Sequence, residues 1–359
     1  MRAPPPAILR AAAGVALFAC GGTAPPVPVV HLIVAGNTVG TSFSEVTGAV
    51  WLDDDRWAVL APSDQVVAVV DMGAGTVRSL GGTSAKEMLH PATLFRAGDT
   101  LFVGDWGRRR TTAWTLNGQL VRAIPVSGGL RGALPRARDA AGRFYYELAP
   151  PPGPDGRGNR DSASIVRDDG LQEHADTIAR LSPLDLAEVI GDAGRRFERR
   201  VFSGEDAWGV LPDGSLWVAR VYLNRVDWRS RDGVWQRGRP LPDRVLEVTR
   251  YDREMFLRRF PPELRSTAEQ LPFAAVKPPF EKGLTGPGGE AWLQKSRAPA
   301  DTTCRYHVID REGRLLRELQ VPGAGWVVAI GGGTVLVAER SRDGIRLLRF
   351  AIPATPTTP

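Results

Sequence analysis

Cysteine and histidine are scarce in this sequence, and their scarcity closes off a chemistry. Only two cysteines occur, Cys20 and Cys304. The four histidines, His31, His90, His174 and His307, are not paired at metal-ligand spacing with one another or with a cysteine, so a His/Cys zinc site has no signature. No EF-hand loop is present. There is no G-x-S-x-G elbow, no P-loop and no G-x-G-x-x-G in a strand–helix setting, which removes the usual marks of esterase, nucleotide-phosphate and dinucleotide chemistry. A Ser/His/Asp triad is assembled in space, and no residue here points to one. The most conspicuous apolar run, AAAGVALFA at 11–19, is far too short to cross a bilayer as a helix.

What is present favours a large, turn-rich core. The chain has 359 residues, 43% of them hydrophobic, and its 40 glycines and 29 prolines favour short strands between frequent turns over long helices. Ten tryptophans suit a β-rich interior. The formal charge is +6, and nearly all of the positive side is arginine, clustered at Arg108-Arg109-Arg110, Arg195-Arg196 and Arg199-Arg200. Acidic residues are mixed in throughout, and no aromatic interleaving or nucleic-acid motif accompanies the clusters, so they read as a solvated surface with no nucleic-acid partner.

The first twenty residues form the most specific local signal. MRAPPPAILR carries Arg2 and Arg10, the apolar run 11–19 follows, and a small residue stands before Cys20. That order is a secretory signal. Leu17-Phe18-Ala19-Cys20 resembles the bacterial lipoprotein box. The resemblance implies a signal peptide over 1–19, cleavage before Cys20, a diacylglyceryl group on its sulfur and an acylated amino terminus. Loss of Arg2 and Arg10 would lower the charge to +4. Gly21-Gly22 follow Cys20 with no Asp directly after it, which implies sorting to the outer membrane, and residues 20–29 read as a Gly/Pro tether. Several acyl chains anchor far more firmly than one. The expected location is therefore a lipid-anchored site at the periplasmic face or cell surface. Cys304 is then the sole unlipidated cysteine, without a disulfide partner, and reads as a buried apolar residue.

One short pattern recurs. An apolar strand follows a Gly/Asp turn in DDRWAVLA, GDTLFVGD, AGRFYYEL, DGSLWVAR, GGEAWLQK and GGTVLVAE. Marking Val59, Val103, Tyr146, Val218, Leu293 and Val337 gives intervals of 44, 43, 72, 75 and 44 residues. Three of these match one four-stranded propeller blade. Another apolar strand lies upstream of each copy and a second hairpin downstream. The expectation is an all-β, six-bladed β-propeller of four-stranded antiparallel blades over 30–352, with a disordered tail at 353–359. The long intervals hold insertions: PPPGPDGRGNRD (150–161) with LSPLDLAEVIGDAGRRF (181–197), and a short helical insertion near 252–272 where Pro261-Pro262 interrupts the helical spacing of Phe256, Leu257 and Phe260. The strand VVHLIVAG (29–36) has no blade of its own and is expected on the outside of the last blade, closing the ring.

From about 30 to 352 the chain resembles the bacterial six-bladed β-propeller lipoproteins related to NHL-repeat propellers. SLGG (79–82), HPATLFRAGDTLFVGDWGRRR (90–110), LNGQLVRAI (116–124), PDGSLWVAR (212–220), RVDWRSRDG (225–233) and LPFAAVKPPFEKG (271–283) carry the likeness. Relatives often have a Gly-Pro-Gly-Glu-Phe-like segment after the first blade, and GGTSAKEMLHP (81–91) stands here instead. The resemblance implies fold and export, not an activity.

Propeller ligands usually meet the ends of the inner strands around the channel. The residues placed there are Glu45, His90, Arg136, Arg138, Glu205, Asp206, Glu281, Lys282 and Trp326. Trp217 and Trp292 hold matching places in their blades and read as core. Asp53-Asp54-Asp55 reads as a hairpin turn rather than a calcium loop. Two functions follow. The first is a binding or scaffold module for a protein, peptide or glycan. The second is a divalent-metal-dependent hydrolase or lyase of gluconolactonase type, with calcium at a convergence of Glu45, Glu205 and a third carboxylate.

Overall fold

The computed structural model describes residues 27–81, 88–150, 162–169, 175–191 and 194–353. Expectations for the signal peptide, Cys20, most of the tether, most of the 150–161 loop and the tail beyond 353 lie outside these residues. Six sheets form the ring, each entered by an inner strand: Gly48–Asp53, Pro91–Ala97, Pro135–Arg138, Ala207–Val210, Phe280–Thr285 and Trp326–Gly331 open blades 1 to 6. Every blade is an antiparallel four-strand meander except that blade 6 takes its fourth strand from the N-terminus and blade 5 gains a fifth.

The second strand of each blade is the repeated segment of the sequence, and its burial explains its composition. RWAVLA, TLFVGD and AWLQK are buried at nearly every position because each packs on the blades to both sides. A strand covered on both faces reads as a continuous apolar run rather than an alternation. Outer strands such as Leu120–Pro125 face solvent and carry charge. Cys304 is 1% exposed, and burial pushes its thiol pKa up. Trp217 and Trp292 are fully buried, as a core role requires.

Closure occurs as expected, with one refinement. Ile33–Thr41 pairs antiparallel with the last strand, Gly344–Ala351. Val29–His31, separated from it by Leu32, pairs in parallel with Leu315–Val321 of blade 5. The N-terminal segment therefore divides at buried Leu32 and straps two blades together, where one strand on one blade was expected.

Neither long interval hides a seventh blade among the described residues. Leu186–Gly191 and Gly194–Arg199 form a hairpin paired only with itself. The expected helix is two helices, Arg250–Leu257 and Pro262–Glu269. The first starts at Thr249, whose hydroxyl and the Asp252 carboxylate cap each other's backbone N–H groups. Pro261-Pro262 breaks the run because proline lacks the amide that a continuing helix needs. Phe256 anchors the insertion, with ring centroids 5.6 Å from Phe273, 6.0 Å from Phe202 and 5.2 Å from Phe260. Lys277 then ties the returning chain to the first helix through Asp252 at 2.6 Å.

Candidate functional site

The six inner strands enclose a channel of about 680 Å³. Its walls carry three arginines, Arg96, Arg136 and Arg138, with Trp51 and Trp208, and no carboxylate is among the residues that line it. Each guanidinium lies over an aromatic ring. Arg96 is 5.4 Å from the Trp51 ring and donates to the carbonyls of Trp51, Leu52 and Gly98 at 3.1, 2.6 and 2.7 Å. Arg136 is 5.8 Å from the Trp208 ring and 2.7 Å from Glu147, which also accepts the Trp208 indole N–H. Arg138 sits over Phe144 at 5.2 Å and Phe102 at 5.6 Å, and its Nε donates to the Gly142 carbonyl at 3.0 Å. Arg138 has no carboxylate partner among the described residues, so its fork is the channel's open anion-binding group. Stacking on rings restricts these side chains before any ligand arrives.

The inner strands run in the same direction, so residues before a strand start and residues at its end belong to opposite mouths. Arg136 and Arg138, named from the sequence, line the channel. Arg96 and Trp51 belong there as well but stand just before the hairpin turns, where the sequence reads as turn. The other named residues gather at the starting mouth without forming a ring. Glu45 accepts from the Ser63 hydroxyl at 3.2 Å. His90 is exposed, with its backbone N–H on Asp105 and its ring 6.5 Å from Trp106. Glu205 pairs with Arg199 at 2.8 Å, and the two share a small recess with Glu281 and Lys277. Lys282 is exposed. The Trp326 indole donates to the Val46 carbonyl at 3.3 Å. Asp206 is buried and accepts from Ser182, from the Val221 amide and from Arg220, which makes it a joint between strands.

The carboxylates proposed for calcium do not converge. Glu45 and Glu205 have the separate partners just given. Among the described residues no group of three or more His, Cys, Asp or Glu side chains could hold a metal ion. The Asp53-Asp54-Asp55 turn is engaged by arginine: Asp53 by Arg56, and Asp55 by Arg349 of the last strand.

A second concentration of charge lies between blades 4 and 5, away from the channel. Lys295 is 2% exposed and donates to Asp243 at 2.5 Å. Burial lowers the Lys295 pKa against the pull of Asp243. His307 is buried beside this pair, and desolvation, then the Lys295 charge, pushes its pKa down to about 4.

The ring and its channel define a six-bladed β-propeller. No protein-family pattern and no curated protein matches this chain. Among solved structures, a putative exported protein from Bacteroides fragilis superposes over 90% of this chain and 98% of its own, at 8% identity and TM-score 0.51. A member of the DUF4221 family from Bacteroides vulgatus covers the same shares at 9% identity and TM-score 0.48. A gluconolactonase from Xanthomonas campestris covers 92% and 98% at 17% identity and TM-score 0.43. Identities this low show likeness of fold alone. No helix among the described residues is long and apolar enough to cross a membrane.

Proposed function

We propose that this chain is an exported, lipid-anchored binding protein whose channel receives an acidic group of a protein, peptide or glycan. The observation that carries the reading is Arg138, backed by two rings and without a carboxylate partner among the described residues, in a channel whose lining residues include no carboxylate. A guanidinium fork presents paired donors to a carboxylate, and low-dielectric walls strengthen the attraction.

The test uses the purified full chain and two probes, a poly-aspartate peptide and an oligomer of glucuronate, in calorimetry at low and high salt. At least one probe is expected to bind, with affinity falling about tenfold or more in Arg138→Ala and weakening as salt screens the channel. Binding that survives both Arg138→Ala and Arg136→Ala would remove the channel from the account. The anchor has its own readout. The parent chain is expected in the membrane fraction, and Cys20→Ala in the soluble fraction or uncleaved. A processed Cys20→Ala chain that stays with the membrane would sink the anchor.

A further inference from the structure

Strand alternation sorts the side chains of blade 5 onto two faces. The register sets Leu293 opposite His307, His307 opposite Glu318, and Arg305 opposite Gln320. One face, with Cys304, Tyr306, Val308 and Leu319, joins an apolar core with blade 6. The other faces blade 4. Its lower part, Ala291, Leu293 and Ile309, packs with Trp217 and Val226 in a second apolar core. Its upper part changes character to Lys295, Arg305, His307, Glu318 and Gln320. An interblade seam gains nothing from burying ionisable groups unless they serve something.

The seam opens there into a cleft of about 570 Å³, a volume suited to a small ligand. The opposite wall is the chain leaving blade 4, Pro242 to Leu246, and the chain returning at Pro278-Pro279; the roof includes Asp301 and Thr302. Three cations, Arg244, Lys295 and Arg305, face three carboxylates, Asp243, Asp301 and Glu318. His307 is neutral near pH 7, because its pKa lies at about 4. Hydrogen-bonding capacity is left over. Lys295 has three protons and, among the described residues, one side-chain partner, Asp243. His307 Nε2 is 3.5 Å from Glu318, while its buried Nδ1 has no hydrogen-bond partner among the described residues. Arg305 is 3.8 Å from both Asp301 and Glu318, too long for a hydrogen bond.

This balance separates the cleft from the channel. A ligand with net charge would be attracted by half of the cleft's groups and repelled by the rest. A hydroxyl both donates and accepts, so vicinal hydroxyls can bridge a carboxylate and a neighbouring ammonium or guanidinium. The three prolines offer an apolar wall for the C–H face of a pyranose ring. We propose that the blade 4–5 cleft is a binding site for a neutral sugar of one or two rings, held by Asp243, Lys295, His307 and Glu318.

The experiment is saturation-transfer NMR followed by calorimetry on the purified full chain, with glucose, galactose, N-acetylglucosamine and maltose as probes. Succinate and glycine serve as charged and zwitterionic comparisons. At least one sugar is expected to bind, with affinity reduced about tenfold or more by Glu318→Gln and by His307→Phe and unchanged by Arg138→Ala. Glu318→Gln keeps the shape of the wall, so the test stands even if His307→Phe fails to fold. Three results would overturn the assignment: no sugar binding, binding indifferent to Glu318→Gln, or binding lost in Arg138→Ala, which would put the sugar in the channel. Binding of succinate or glycine with no sugar binding would overturn it as well.

Discussion

Asp243→Ala is expected to lower the stability of the propeller by about 3–5 kcal/mol at pH 7, since removing one member of a buried pair strands the other charge. The stranded group is the Lys295 ammonium, whose side chain is 3% exposed. The loss has a ceiling. An ammonium with an ordinary pKa of 10.5 can shed its proton, which at pH 7 costs about 5 kcal/mol. The pH dependence follows from the same step. Without Asp243 the folded-state pKa of Lys295 falls further below its unfolded value, so the unfolded chain binds more protons. The variant's stability then rises with pH until the unfolded lysine also deprotonates, and most of the penalty is expected to vanish above about pH 10. Asp243→Ala combined with Lys295→Met should recover most of the loss at pH 7. Lys295→Met alone is milder, because Asp243 keeps its bond from Asn224 at 2.8 Å and is partly solvated. Urea unfolding of the four chains near neutral and high pH measures all of this. Equal losses in the single and double variants, or a loss unchanged at high pH, would mean that the pair is not a buried charge pair in solution.

Trp217→Ala is expected to cost a comparable amount, about 3–5 kcal/mol. The indole is fully buried and crosses from blade 4 to blade 5, where its N–H donates to the Thr285 hydroxyl at 3.0 Å. It lies against Gly209 and Gly283 of the two inner strands; a Cβ at either would come within 2.6–2.7 Å of the ring. Those glycines supply no side chain that could fill the void, and backbone in a closed ring cannot collapse into it. The cost therefore belongs at the upper end for a core truncation. Trp217→Phe keeps most of the volume and should lose less, chiefly the hydrogen bond and part of the packing. Trp235→Ala, at a site 38% exposed, is the control and should change little. A loss below about 1 kcal/mol for Trp217→Ala would show that the inter-blade contact is not a source of stability.

The two sites differ in how far they could be read from the chain. Arg136 and Arg138 stand out because a strand as short as PRAR cannot hide two arginines in an apolar core. Arg96 and Trp51 escaped because each precedes a turn, and turn chemistry explained their neighbourhood well enough. The blade 4–5 cleft left a fainter trace: Arg305 and His307 stand two apart in the otherwise apolar strand CRYHVI, which puts both on one face. Scarce lysine was a second trace, since three of the four lysines, Lys277, Lys282 and Lys295, fall within nineteen residues of this region. Neither trace names Asp243, which stands 52 residues from Lys295. Glu45 and Glu205 show the converse. Equivalent places in two blades suggested a shared task, and local partners, Ser63 and Arg199, claim them instead.

By itself the sequence determined the repeating unit, the number of blades and the closing strand, because each rests on local rules: glycine at tight turns, continuous apolar runs in doubly covered strands, and spacing. Tertiary structure alone decided which charges meet. The partners lie far apart along the chain, as Asp55 and Arg349 do across 294 residues, and ring closure, not sequence proximity, brings them together. It also decided which polar residues are buried, since the same alternation that hides Leu293 in an apolar seam sets Lys295 in a cleft one turn of the pleat higher.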